Sequence, residues 1–406
     1  MSPAAQAGTC GVMGTASTMA CLLVALGLMP LDSATPAAVS AARLRVAETT
    51  GRLALALAQN KTTPQDVLSH ASFLNAFTVL QAIGGSTNAA VHLIAVANRH
   101  PSVAGSVSLA TLDEVGRRTP LLVDLKPSGD GYMTDFHAAG GMTRLLAQLR
   151  TAGLLRLEAR TVMGPSLGEA LDAAAAGRHH AFPQGIIRPL DAPLHPSSSL
   201  VVLRGNLAPR GAVIKASASK DTRLLRHTGP AVVFAGTEDL AARIDSPELD
   251  VSPDSVLVLT RIGPVGYPGM PEAGLIPIPR KLAALGVQDM LRVSDGRMSG
   301  TAGGTVVLHV SPEAADPESV LGVVRDGDLV SCDVRAGVLR VELSDEEIER
   351  RLAVKRESLK GVTEEAWRAR DTMRGYRGLY LREVNQADEG ADFKFLTAAG
   401  PGRPGA

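Results

Sequence analysis

One serine and one threonine stand apart in this chain. The segment "VSDGRMSGTAGGTVVLHV", Val293–Val310, sets Ser299 and Thr301 among Gly296, Gly300, Gly303 and Gly304, just ahead of an apolar, β-branched run. Glycines let a backbone approach a ligand closely and adopt positive φ. A hydroxyl on such a turn can bind a phosphate, attack as a nucleophile or take a proton. The phosphate loop of nucleotide-binding proteins requires Gly-Lys-Ser/Thr, and no lysine follows Gly304. The nucleophile elbow requires Gly-x-Ser-x-Gly, and the run Gly-Arg-Met-Ser-Gly-Thr lacks that spacing. Hydroxyls that cap a helix or turn are the competing reading.

Four further stretches carry candidate groups. In "RIGPVGYPGMPEAGLIPIP", Arg261–Pro279, prolines and glycines crowd around Glu272. A carboxylate on so constrained a loop suits a hard metal ion, and a solvated loop glutamate is the alternative. In "IGGSTNAAVHL", Ser86, Thr87 and Asn88 lie at a glycine-led helix start, where N–H groups can hold a substrate carboxylate or the side chains can simply cap. His92, inside that helix, reads as a packed histidine. "LVDLKPSGDGYMTDFHAAGG" offers Asp124, Lys126, Asp130, Asp135 and His137 as site-lining groups without a zinc spacing. In "GTCGVMGTAST", Cys10 sits between glycines ahead of a helix. A helix start favours a thiolate there, and an ordinary packed cysteine is equally open.

The elements that must position these groups divide the chain. The first half reads as helical: Met19–Leu31, Ala37–Asn60, Thr63–Gly85, Asn88–His100 and Gly140–Leu155. "TPLLVDLKPSG" reads as a short strand and loop. Near residue 180 the texture changes to prolines and short β-branched runs, a linker entering a β-rich unit. His179 and His180 lie there without a metal pattern. Strands follow at "PAVVF", "SVLVLTRIG", "GTVVLHV", "DLVSCDV" and "VLRVEL", with helices at "TEDLAARI", "IPRKLAALG" and "SDEEIERRLAVKRESL".

Composition excludes several function classes. With 41 basic and 41 acidic residues the formal charge is zero, so no field draws nucleic acid or membrane. Aromatics make up 3%, too few for base-stacking platforms. Met19–Leu31 is too short to span a bilayer and has no basic residue before it, so it reads as a buried helix rather than a signal. Cys10, Cys21 and Cys332 are too few and too scattered for a disulfide scaffold. A reducing, cytoplasmic setting follows. Cys21 and Cys332 read as core residues.

In order, "GTCGVMGTASTM", "IGGSTNAAVHL", "LVDLKPSGDGYMTDFHAAGG", "LRGNLAPRGAVIK", "GPVGYPGMPE" and "VSDGRMSGTAGGTVVLHVSPEAA" resemble the dihydroxy-acid dehydratase and phosphogluconate dehydratase family, from about Gly8 to Leu396. "YPGMPE", "SGTAGGTVVLH" and the ending "RGYRGLYLREVNQADEGADFKFL" look closest to its sugar-acid (aldonate, arabinonate-type) branch. Gly303 replaces a larger residue expected in that branch. The resemblance implies an iron–sulfur cluster (2Fe–2S or 4Fe–4S), Mg²⁺ and dehydration of a 2,3-dihydroxy acid to a 2-keto-3-deoxy acid. It implies Cys10 as a cluster ligand, Glu272 as a magnesium ligand, Ser299 as the base and Thr301 as a substrate contact. Ser86 and Thr87 join the substrate-binding set. The family's chemistry suits these types: metal on the carboxylate and 2-hydroxyl would stabilise enediolate charge, and a cluster iron would help hydroxide leave.

The resemblance further implies a small-molecule substrate, a homodimer or homotetramer, and an α/β fold class. The expected layout is a partial N-terminal α/β domain over residues 1–183, a C-terminal β-rich, swivelling-type β-barrel over 184–353 and a helical extension over 354–406 with a frayed tail. The family carries, before "GTCG", two more cluster cysteines, a metal-binding aspartate and a carbamylated lysine. This chain starts close to the third cysteine, which reads as N-terminal truncation. Branched-chain dihydroxy-acid dehydration and a non-catalytic remnant are the alternatives.

Overall fold

A computed structural model describes residues 8–176, 184–358 and 374–398. His179 and His180 lie outside these residues. The chain clusters into two compact units, residues 1–93 with 100–200 and residues 94–99 with 201–406. Residues 184–200, expected to open the second domain, thus group with the first unit.

The first unit is helical. Its helices are α1 (Thr15–Ala25), α2 (Ala41–Gln59), α3 (Pro64–Val67), α4 (His70–Ala82), α5 (Asn88–Arg99, whose last turn groups with the second unit), α6 (Leu109–Arg118), α7 (Met133–Ala138), α8 (Gly141–Thr151) and α9 (Leu167–Ala176). The expected α/β character is not found among its described residues. Leu121, Val123 and Leu125 make only isolated bridges to His195, Ile187 and Gly131. The partner stretch "IIRPLDAPLHP" is interrupted by prolines, which cannot donate to a ladder. Two helix boundaries also differ from expectation. The apolar run through Leu31 is helical only to Ala25, because Gly27 takes φ +80° and Pro30 follows. The Thr63–Gly85 helix is split: Leu68 is extended, and the Ser69 hydroxyl accepts the Ser72 N–H to start α4 afresh. α4 is the buried centre, with Phe73, Phe77 and Leu80 sealed from solvent. α2 buries none of its 19 residues.

The second unit is a closed eight-stranded barrel. Its strands are β1 (Val201–Gly205), β2 (Ala208–Ile214), β3 (Arg226–Ala235), β4 (Val256–Thr260), β5 (Arg292–Ser294), β6 (Val306–Ser311), β7 (Leu329–Asp333) and β8 (Val338–Val341). Around the barrel they run β1-β2-β6-β5-β4-β3-β7-β8. β3, β4, β5 and β6 are parallel, and β2 and β7 flank them antiparallel. β1 and β8 close the ring through Arg204 and Val338. Alternation puts Ala212, Ile214, Val258, Val293, Val307 and Cys332 inside. Outside, α10 (Thr237–Arg243) and α11 (Arg280–Ala283) contribute Leu240 and Leu282 to a cluster with Phe234 and Leu257. α12 (Asp345–Ser358) and α13 (Gly375–Glu383) follow the barrel. Every strand expected for this unit forms. β5, only three residues long, was not foreseen, and β1 and β2 lie in the stretch read as a linker entering the unit.

Candidate functional site

Two long crossovers of the barrel carry Glu272 and Ser299. A parallel pair cannot be joined by a tight turn, so the chain between β4 and β5, and again between β5 and β6, must travel over the barrel surface. The first crossover leaves Thr260 and holds Glu272. The second leaves Ser294 and holds Ser299 and Thr301. Both begin at carboxyl ends of adjacent parallel strands, where open α/β sheets gather ligands.

Arg297 stitches the two crossovers together. Its Nε–H donates to the Met270 carbonyl, and its own carbonyl accepts the Gly274 N–H at 2.8 Å. Glu272 is therefore bracketed on both sides by contacts to a residue two positions before Ser299. Buried carboxylates reinforce the joint. Asp295 accepts N–H bonds from Arg261 (3.0 Å), Ile262 (3.1 Å) and Ala314 (2.9 Å). Glu313 accepts from Val265 (2.8 Å), Gly266 (2.7 Å) and the Gln386 amide (3.2 Å). Burial raises the Asp295 carboxyl to about 6 against its backbone donors. Burial and then the nearby Asp295 charge raise Glu313 to about 8.

Ser299 Oγ lies 2.9 Å from Thr301 Oγ1, and the Thr301 N–H reaches the same oxygen at 3.4 Å. Met298 and Ala302, on either side, pack on the outward Val306 and Leu308 of β6. Gly304 ends the crossover at φ +107°, and a Cβ there would stand 2.0 Å from Arg292 Nη2. That space is filled by a buried Arg292–Asp289 ion pair at 2.7 Å. Asp289 also accepts from the Thr305 N–H and hydroxyl at 2.9 Å each. So one of the four glycines admits only glycine, because a buried salt bridge lies against it. Arg261, Met270 and His309, all beside these crossovers, hold positive φ without being glycine. Such backbone strain concentrates where surrounding structure over-determines geometry.

In the first unit Cys10 is exposed, five residues ahead of α1, so it is not the packed cysteine that its sequence left open. Its loop is pinned through Met13 N–H to Lys126 O (3.0 Å) and Met133 N–H to Gly11 O (2.8 Å). The loop after Leu122 is held by Asp124, which accepts from Asp130 N–H (2.8 Å) and pairs with Arg188 (2.6 Å). Lys126 donates to Tyr132 OH at 2.7 Å, and the Asp135 carboxylate accepts the Tyr132 N–H at 2.8 Å. His137 Nδ1 lies 3.0 Å from Thr35 Oγ1, and burial lowers its pKa. Ser86 is wholly buried. Its hydroxyl lies 2.9 Å from Thr15 Oγ1 and accepts the Asn88 N–H at 3.2 Å, and its own N–H donates to Thr18 Oγ1 at 3.0 Å. These bonds cap α5 and tie it to α1. Thr87 beside it is buried too.

The cysteines bear on an iron–sulfur cluster. Cys21 is sealed in α1 and Cys332 inside the barrel, and burial pushes each thiol up to about 12. Clusters are held by thiolates, commonly four. Among the described residues no group of three His, Cys, Asp or Glu is placed to hold a metal ion. Cys10 and Glu272 would each supply a single ligand, and the described residues complete neither a cluster nor a magnesium site.

Sequence reasoning passed over Asp295, Glu313, Asp289 and Arg292. No residue pattern distinguishes a buried carboxylate from a solvated one. For Asp295 and Glu313 the only local signal was their place within a motif already singled out, and Asp289 and Arg292 lie just before it.

Two family profiles cover the chain. That described as Dihydroxy-acid/6-phosphogluconate dehydratase N-terminal matches residues 2–170, and its C-terminal counterpart matches residues 185–391. The chain belongs to this family. It is 44% identical to L-arabonate dehydratase of Azospirillum brasilense over 93% of its own length and 62% of the relative's. It is 42% identical to 6-deoxy-6-sulfo-D-gluconate dehydratase of Pseudomonas putida, over 96% and 64%. Dihydroxy-acid dehydratase of Caldanaerobacter subterraneus is 36% identical, over 95% and 66%. The chain thus spans less than two thirds of the length of its sugar-acid relatives. Among the described residues no helix is long and apolar enough to cross a membrane.

Proposed function

We propose that the chain is the larger part of a hydro-lyase that dehydrates a sugar acid, a 2,3-dihydroxy acid, to the 2-keto-3-deoxy acid and water. The observation that carries this reading is the joint at Arg297, which ties Glu272 and Ser299 to one face of the barrel. The higher identity to the two sugar-acid relatives than to the dihydroxy-acid dehydratase favours an aldonate over a branched-chain substrate. Three free thiols suit a cytoplasmic location. In this reading Cys10 belongs to the cluster, Glu272 to the magnesium site, and Thr301, Ser86 and Thr87 to substrate contacts.

Ser299 takes the C2 proton. Its oxygen must then bear negative charge, and the Thr301 hydroxyl and N–H stand beside that oxygen to stabilise it. The electron pair of the C2–H bond forms the C2–C3 double bond as the 3-hydroxyl leaves as hydroxide, and the proton now on Ser299 passes to it to give water and restore the base. The enol then tautomerises to the keto acid. Holding the serine on a crossover anchored by buried groups fixes its approach to C2.

Ser299→Ala tests the assignment in protein extended to the length of its relatives and supplied with iron, sulfide and magnesium, with L-arabinonate as substrate. Loss of a general base costs about 10²–10⁴-fold in turnover. Exchange of the C2 hydrogen with deuterated solvent falls with it. A capping serine would instead lose about 1 kcal/mol of stability and keep its turnover. Near-normal exchange with only a lower melting temperature would return Ser299 to that role.

A further inference from the structure

Lys215 is buried, and among the described residues its Nζ meets no hydrogen-bond acceptor. An amine sealed from water without a partner is expensive. Burial pushes its ammonium down to about 7. A methionine of similar reach would fill the same space without that penalty, so packing does not explain the lysine.

Its place in the barrel does. Ala212 and Ile214 point into the barrel core, so alternation sets Val213 on the outer face. Val213 pairs with Leu308 and Ile214 with Val307. Lys215 follows directly, where β2 ends and a 3-10 turn over Ala216–Ala218 begins. Val306 and Leu308 are the residues on which Met298 and Ala302 pack. The chain just after Lys215 is fastened to the end of the same crossover. Ala218 O accepts the Gly304 N–H at 2.8 Å, and Ser219 Oγ lies 2.6 Å from Thr305 Oγ1. The unpartnered amine thus lies on the strip of barrel surface that the Ser299 crossover covers.

We propose that Lys215 is the anion-binding residue of this face: its Nζ takes a carboxylate oxygen of the acid substrate while Ser299 meets the C2–H. The proposal rests on the sugar-acid reading above. A charge-assisted hydrogen bond formed only in the complex gives the buried amine the partner that the protein withholds. The lysine is then kept for binding at the expense of stability, as functional sites often are.

Thermal unfolding and titration calorimetry of wild-type protein and Lys215→Met, with Mg²⁺ present, test this. The probes are L-arabinonate and arabinitol, which differ in the carboxylate. Wild type is expected to bind L-arabinonate about tenfold or more tightly than arabinitol, the scale of one charged hydrogen bond. Lys215→Met is expected to cut that preference about tenfold, leaving what the metal contributes, while raising the melting temperature of the unliganded protein. Equal affinity of wild type for the two probes overturns the proposal. So does a variant that keeps the preference in full, whichever way its stability moves. Solvent exchange at C2 in Ser299→Ala separates the two readings. Normal exchange there, with the carboxylate preference cut in Lys215→Met, removes the serine base and leaves the anion site standing. Lost exchange with an unchanged preference does the reverse.

Discussion

The Cys10 loop and the Ser299 crossover are held in place by different chemistry. Around Cys10 the fastening groups are backbone amides and the neutral side chains of Thr15, Thr18, Ser86 and Asn88. Around Ser299 they are ionisable and buried: Asp289 with Arg292, Asp295, and Glu313. Neutral hydrogen bonds contribute modestly each, are forgiving, and are indifferent to pH. Buried charges are unforgiving when a partner is lost, and their geometry depends on who carries the proton. The barrel therefore fixes its crossovers more rigidly and at greater risk.

The comparison is most exposed at Arg292. Arg292→Met leaves the Asp289 carboxylate buried and without its cation, which costs about 3–5 kcal/mol when a buried pair is broken. Both side chains are almost sealed, at 6% and 1% exposure. Urea unfolding of the variant reads this directly. A loss under about 1 kcal/mol, the level of an exposed pair, would place this joint with the forgiving ones.

Glu313→Gln sharpens it. Burial first, and Asp295 second, hold the folded carboxyl near 8 against 4.5 in a free chain. The folded state therefore keeps a proton that the unfolded state has released, and stability falls as pH rises through that window. Asp295 adds a similar decline between 3.8 and about 6. Lys215, lowered from 10.5 to about 7, acts oppositely and adds stability as pH rises through its own window. Glutamine cannot titrate, so melting temperature against pH should flatten between pH 6 and 7 in the variant, below the lysine window. A wild-type slope in the variant would remove Glu313 from this account.

The smallest effect is expected in the helical unit. Ser86→Ala removes a cap on α5 and a bond to Thr15, a cost of about 1 kcal/mol. That loss should be the same from acid to mildly alkaline pH. A pH-dependent loss would show that the two regions are not fastened by different means.

The motifs that matter were readable because they break the rules for ordinary segments. Glycine and proline gather around Ser299 and Glu272 where no plain turn needs so many. The barrel strands were equally plain, because β-branched runs between breakers have few other uses. What escaped notice was decided by tertiary packing. β5 has three residues and no period to detect. Leu68 and Ser69 interrupt a helical pattern without a glycine or proline, through a cap that competes with the helix. Lys215 sits in "GAVIKASAS" as any surface lysine would, and only its burial in the folded chain shows that it is covered. The strand expected at "PLLVDL" is reduced to isolated bridges for a related reason. Apolar stretches such as "PLLVDL" look like strands, but their partner is too rich in proline to form a ladder.

The seam of the barrel has a consequence for how the chain is made. Arg204 of β1 meets Val338 of β8, and Asn206 bonds Val341 from both ends of its amide at 2.9 Å. A ribosome delivers β1 long before β8, so the ring cannot close until nearly the whole barrel has been synthesised. Sequence-distant pairing is slow, and unclosed strand edges invite wrong partners. During synthesis β1 therefore spends its time as an open edge beside β2, and this stretch of the nascent protein is where chaperone protection would matter most.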